Sequence, residues 1–321
     1  MLARHAENLF WAGRYIERAE DTARMLDVTY HGLLEATPYE AEQAWWDLLS
    51  VLRLDGAFRE HAEDASAVTC SEFLVLDDGN PGSIVMSVGR ARENLRSVRE
   101  LVTTELWEAI NRFHLDLRAR NLRNDILEQP YELYGLVKRR CQTLAGVAGE
   151  TMPRDDGWRF LQVGWMLERA EMTCRLLDVR YAAGPAIGFH HWQQTLKSAS
   201  ASEAYRKAYR ASMDPDDVLD FLLLSRVFPR SVLFCLRQAE SHLGRLGAGE
   251  GLLTRPERLL GRIRADLEFR DVHEVLADGL HPFLDQLQRR VRQVAEAVAI
   301  EFFRASEEFS LTAVDLPVIS R

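Results

Sequence analysis

Cysteine is scarce: four in 321 residues. Cys70, Cys141, Cys174 and Cys235 stand singly inside apolar patterns, which excludes a CxxC zinc or redox motif and a disulfide framework. They read as reduced, buried thiols of a cytoplasmic protein. Proline (10) and glycine (19) are also sparse, so long stretches run without a breaker and favour helix. No run approaches the roughly 18 consecutive apolar residues of a membrane span, and no transmembrane helix is expected. The first residues lack a basic region followed by an apolar one, so no secretory signal is expected either. HExxH, GxGxxG and Walker-type loops do not occur. A basic surplus is missing too: net charge is −9 and the pI about 5.6, which excludes a general nucleic-acid footprint. With 47% hydrophobic and 28% charged residues, the chain has the balance of a globular protein that buries a sizeable core.

What is present is helical patterning and a repeated motif. Apolar or small side chains at Trp11, Tyr15, Ala19, Thr22, Leu26 and Leu33 recur at i, i+4, i+7 and predict one helix from 2 to about 36, ended by Pro38. Further helices are expected at 39–62, 83–112, 113–127 and 130–150, with a short element at 72–76. Beyond Asp155-Asp156-Gly157, helices are expected at 156–183, 190–211, 215–224, 229–246, 254–269 and 280–309. Gly184-Pro185 and the glycines at 247, 249 and 251 read as breaks.

The motif runs from Gly13 to Tyr30 and recurs 151 residues later, from Gly164 to Tyr181, with 11 of 18 positions identical. Phe73-Leu74-Val75-Leu76 with Pro81 and Ser83 answers Phe221-Leu222-Leu223-Leu224 with Pro229 and Ser231, at offset 148. Steady offsets predict an internal duplication of about 150 residues: an all-α helical bundle with an approximate two-fold axis. The first repeat would span 1–152 and the second 153–312, packed as one unit, with 313–321 a tail.

On a helical wheel Gly13, Glu17, Glu20, Arg24 and Asp27 share one narrow face, and Gly164, Glu168, Glu171, Arg175 and Asp178 share the equivalent one. Glu20–Arg24 and Glu171–Arg175 are acid-first i, i+4 pairs. In one reading the stripes interlock across the two-fold, the glycines allowing close approach and the ion pairs fixing register. In a second, Arg and Glu side chains line a pocket for a zwitterionic amino acid or peptide end, Arg gripping its carboxylate. A third makes the four glutamates metal ligands. Ferritin-like chemistry needs Glu-x-x-His, and here the i+3 residue is Glu20 or Glu171, so no metal or other cofactor is expected. Glu7 has no counterpart in the second copy, where Trp158 stands. His190 and His191 are adjacent and point about 100° apart on a helix, which argues against one shared metal.

Residues 1–20, with Asn80-Pro81-Gly82-Ser83-Ile84, Ala91-Arg92-Glu93-Asn94 and Phe228-Pro229-Arg230-Ser231-Val232, resemble the alpha-E domain family of bacterial proteins over essentially the whole chain. The resemblance implies an all-helical protein that accompanies, or is fused to, ATP-grasp-type ligases, often with transglutaminase-like proteins nearby, in a peptide-modifying or amide-bond-forming system. Its motif positions fall on Glu7, Asn8, Trp11, Gly13, Arg14, Tyr15, Glu17, Arg18 and Glu20, and on Gly164, Glu168, Arg169 and Glu171. Trp165 and Met166 replace the Arg14-Tyr15 pair, so any role of that pair would be one-sided. Two functions stay open: a binding or scaffold partner of the ligase, or an enzyme or enzyme subunit with a Glu/Arg pocket for an amino-acid- or peptide-derived substrate. No nucleophile–base pair or metal motif decides for the enzyme.

Overall fold

Side-chain caps set where many of the helices begin. In the computed structural model, which describes residues 1–33, 37–182, 189–210, 213–246 and 252–303, Thr37, Ser66, Ser83, Thr103, Asn121 and Asp214 each accept a backbone N–H of the turn they open. Thr254 with Glu257 and Asp271 with Glu274 form capping boxes. The described residues form helices and no strand: α1 (Ala3–Gly32), α2 (Pro38–Leu52), α3 (Asp55–His61), α4 (Ala67–Val75), α5 (Ile84–Ser97), α6 (Thr104–Ala119), α7 (Leu122–Glu128) and α8 (Pro130–Thr151) come first. Then follow α9 (Asp156–Ala182), α10 (Phe189–Ser198), α11 (Ser202–Tyr209), α12 (Pro215–Leu224), α13 (Val232–Leu246), α14 (Arg255–Glu268), α15 (Val272–Ala277) and α16 (Leu280–Phe302).

Four helices expected from the sequence each take in parts of two, the 113–127 stretch breaking at Arg120 and Asn121 between α6 and α7. The 39–62 stretch breaks at Arg53, which takes a left-handed φ of 58° and closes α2 onto the carbonyls of Leu49 and Ser50. The 190–211 stretch breaks at Ser200, φ 50°. Residues 83–112 break between Ser97 and Thr104, where Thr103 caps the new helix and bonds Thr151 of α8 at 2.7 Å. Pro38 opens α2 rather than closing α1, which ends at Gly32. α15 has no counterpart among the expected helices. The breaks expected at 184–185 and 247–251 and the tail at 313–321 lie outside the described residues.

α1, α5, α6 and α8 close a ring of packed neighbours, and α9, α13, α14 and α16 close another. The two rings share the packing of α1 on α9, the most extensive helix pair in the molecule. α2 lies on α9, and α10 on α1. Phe10 and Phe160 meet Phe303 just past α16, closing one end of the core. α1 is buried all round from Leu9 to Leu26 apart from Trp11 and Arg18. A helix so placed is ordinarily apolar; this one buries Arg14, Glu17, Glu20, Asp21 and Arg24. Those charges must find partners inside the protein. The four cysteines are free and buried, and burial pushes the thiols of Cys70 and Cys235 up to about 12.

Candidate functional site

Glycine sets how closely α1 and α9 pack. A Cβ on Gly13 would lie 2.2 Å from the Leu161 carbonyl oxygen, and one on Gly164 would lie 2.0 Å from that of Phe10. Backbone therefore touches backbone, and the glutamate of each helix reaches the arginine of the other.

Glu17, with no exposed surface, takes four donors. Arg169 binds it through both Nε (2.6 Å) and Nη2 (2.7 Å), Arg230 through Nη1 (2.7 Å), and Trp165 through its indole N–H. Glu168 takes Arg14 Nε at 2.6 Å, Arg18 Nε at 2.7 Å and Arg18 Nη2 at 3.3 Å. Burial alone would raise both carboxyls. The guanidiniums outweigh it, Arg169 and Arg230 holding Glu17 down to about 2, and Arg18 and Arg14 holding Glu168 well below the usual carboxylate range. Both glutamates are fixed anions.

The cluster around Glu17 extends along α1. Glu20 pairs with Arg24, with Arg230 Nη2 at 3.0 Å, and accepts from Gln142 at 3.5 Å. Asp21 accepts from Arg24 (2.9 Å) and Arg230 (2.8 Å), while its Oδ2 is buried without a hydrogen-bond partner. Burial, then the adjacent Glu17, pushes Asp21 up to about 7 against the pull of Arg230 and Arg24. On α9, Glu171 lies 3.1 Å from Arg14 Nη2 and 3.4 Å from Arg175 Nη2.

The remaining candidates sit at the margins. Asp27 is engaged by Lys138 of α8 and Asp178 by His281 of α16. Tyr15 stacks on Trp11 at 5.7 Å, with the guanidiniums of Arg18 and Arg90 over its ring. Glu7 is half-buried near the start of α1, outside the ion-pair seam, and burial raises its carboxyl. His190 and His191 contact Gln194 and the Arg180 carbonyl respectively. Among the described residues no group of three or more His, Cys, Asp and Glu side chains is placed to hold a metal. Among the described residues no helix is long and apolar enough to cross a membrane.

Asp21, Trp165 and Arg230 were missed from the sequence, as was Arg18 or Arg169 as a pairing residue. Each of those two arginines follows a stripe glutamate directly, in Glu17-Arg18 and Glu168-Arg169, and that dipeptide was the available signal. Trp165 stands where α1 has Arg14, and the two act alike, each donating to the glutamate of the opposite helix.

Beyond Arg24 the seam opens into a cleft of about 860 Å³ between α1, α8 and α10–α11. Lys138, Arg139, Lys197 and Arg206 line it, and the acids there are Asp27 and Glu203. A second cleft of about 830 Å³ adjoins it across Gly32 and Gln194.

No solved structure matches this chain. It is 28% identical over 305 residues to the uncharacterized protein Rv2567 of Mycobacterium tuberculosis, and 29% identical to the uncharacterized protein Mb2597 of Mycobacterium bovis. Each match covers 87% of this chain, which spans about a third (34%) of the relatives' length. The model of the Alpha-E family, described as a predicted alpha-helical domain with a conserved ER motif, matches residues 1–303. With Glu-Arg at 17–18 and again at 168–169 on the two helices that pack at its centre, the chain belongs to the Alpha-E family.

Proposed function

We propose that this chain is a non-catalytic helical binding module, the partner of an ATP-grasp-type ligase in an amide-bond-forming, peptide-modifying system, and that its basic cleft takes an acidic peptide segment of that system. The observation that carries binding over catalysis is the state of Glu17. A general acid or base must exchange a proton near the working pH, whereas Glu17 is saturated by four donors and held ionised. Glu168 is held in the same way. The side chains most like catalytic ones are thus committed to joining helices.

The cleft supplies what the seam does not: open volume in the range of about 300–1,000 Å³ usual for ligand sites, with basic side chains in excess. The ligase, and a transglutaminase-like protein beside it, come from the family resemblance, and a cytoplasmic location fits both.

An internal duplication underlies this framework in our reading, with repeats over 1–152 and 153–312. Its support is reciprocity at one offset: Gly13 meets Leu161 as Gly164 meets Phe10, and Arg18 binds Glu168 as Arg169 binds Glu17.

The test is co-purification and titration of this chain with the ATP-grasp-type ligase of the same system. The triple variant Arg139→Glu, Lys197→Glu, Arg206→Glu should fold normally, since its one lost ion pair, Arg206–Glu203, is exposed and worth at most about 1 kcal/mol. It should bind the ligase at least tenfold more weakly. Equal binding by the variant would remove the cleft from the reading, and no binding by the wild type would remove the partner. The enzyme alternative requires Glu17→Gln or Glu168→Gln protein that stays folded but loses ligase-coupled product.

A further inference from the structure

The two halves of the seam are unequal in charge. Around Glu17, the carboxylates of Glu17, Glu20 and Asp21 face the guanidiniums of Arg24, Arg169 and Arg230, and the cluster is formally neutral. Around Glu168 the carboxylates are Glu168 and Glu171, facing Arg14, Arg18 and Arg175. Met172 stands where the other half has Asp21, and Gly82 where it has Arg230. An acid–base pair is missing together.

The space Arg230 fills in one half is a cavity of about 90 Å³ in the other, lined by Arg18, Arg175, Gly82 and Met172. A fourth guanidinium lines the same cavity. Arg53 takes its left-handed conformation at the end of α2, a position that favours glycine or asparagine. Its guanidinium donates to the neutral Gln288 Oε1, at 2.6 Å, and has no carboxylate partner within ion-pair distance among the described residues. Asp285 and Asp178, whose charges also act on Arg53, are engaged by Arg289 and His281. Arg175 Nε is buried without a hydrogen-bond partner, and its contact to Glu171 is long, at 3.4 Å. Four guanidiniums thus stand beside two carboxylates, Arg53 half-buried and the other three largely shielded from water, where uncompensated charge is costly.

We propose that this cavity binds an oxyanion, the carboxylate or phosphate end of a small ligand, gripped by Arg18, Arg53 and Arg175. A cavity of about 90 Å³ is below the roughly 300 Å³ of a whole-ligand site, so it takes a charged end group and leaves the rest of the ligand outside. Arginine suits such a grip, because its planar fork donates two parallel hydrogen bonds to groups of this kind. Different residues build this site and the basic cleft, so the two readings stand or fall separately.

The test is calorimetric titration and thermal unfolding of the full chain with inorganic phosphate and, separately, with glutamate, against chloride at equal ionic strength. A saturable, one-to-one response beyond chloride is expected. Response to phosphate alone assigns a phosphate end group, response to glutamate alone a carboxylate, and response to both the shared oxyanion chemistry. Arg53→Gln should weaken the binding at least tenfold. Met172→Asp, which supplies the counter-charge that Asp21 provides in the other half, should abolish it in protein that circular dichroism shows to be folded. No response beyond chloride in the wild type, or a response undiminished by both substitutions, overturns the proposal.

Discussion

Gly13→Ala sets two effects of opposite sign against each other. Alanine in a helix interior is favoured over glycine by about 1 kcal/mol, so propensity alone makes this substitution stabilising. The packing of α1 on α9 reverses that. The added Cβ would stand 2.2 Å from the Leu161 carbonyl oxygen and 3.0 Å from the Trp165 nitrogen, both backbone atoms that no rotamer change can move. A carbon and a carbonyl oxygen rest at about 3.3 Å or more, so the helices must part by about 1 Å. Overpacking of this kind costs about 1–3 kcal/mol. The same movement stretches Arg14–Glu168 and Arg169–Glu17, both at 2.6 Å, out of hydrogen-bond range. Each such charge-assisted bond contributes about 1.5–3 kcal/mol. Set against the propensity gain, the net loss is about 3–8 kcal/mol, and Gly164→Ala, at 2.0 Å from the Phe10 oxygen, should match it. Gly146 in α8 is the control: a Cβ there meets nothing within 4 Å, so Gly146→Ala should gain about 0.4–1 kcal/mol. Urea unfolding followed by circular dichroism reads all three. If Gly13→Ala stabilised the protein as Gly146→Ala does, the close backbone approach would be refuted.

Three further outcomes follow from the seam and the core. Glu17→Gln leaves Arg169 buried without its anion and takes one of three carboxylates from Arg230, and should cost about 3–5 kcal/mol in the same assay; a loss below about 1 kcal/mol would mean the seam is solvated. Asp21, raised to about 7 in the folded state from an ordinary value of about 3.9, makes the folded chain hold the extra proton between those limits, so stability should fall as pH rises through that window. Asp21→Asn should flatten the profile there, and unchanged curvature in urea midpoints from pH 4 to 8 would show that another group titrates. All four cysteines should resist iodoacetamide at pH 8 until the protein unfolds, since each is buried and the Cys70 and Cys235 thiols sit near 12; labelling of native protein, read by mass, would contradict that.

The stripe was legible because a helix imposes its period on sequence: Glu17, Glu20 and Arg24 had to share a face, and Gly13 beside them marked close approach. The all-helical class was legible for the same reason. Partners that arrive through space were not. Arg230 enters the Glu17 cluster from 213 residues away, and no local pattern announces it. Arg14 and Trp165 read as a divergence, although an indole N–H and a guanidinium Nε can each satisfy one carboxylate oxygen. Asp21 and Met172 differ at the same offset, and the meaning of that difference shows only beside Arg230 and Gly82. The helix breaks at Arg53 and Ser200 were hidden because neither left-handed residue is glycine, the residue type by which such a corner is recognised.

The exchange of ion pairs between α1 and α9 also orders events during synthesis. Glu17 leaves the ribosome 152 residues ahead of Arg169 and 213 ahead of Arg230. At about 5–20 residues per second, the wait for Arg169 alone is roughly 8–30 s. Until then α1 carries charges it cannot bury, so the nascent first half must keep its central helix wet and its core open. Final compaction belongs to the moment α9 emerges, and a chain stalled before that point would present a hydrated, half-closed bundle to proteases and chaperones.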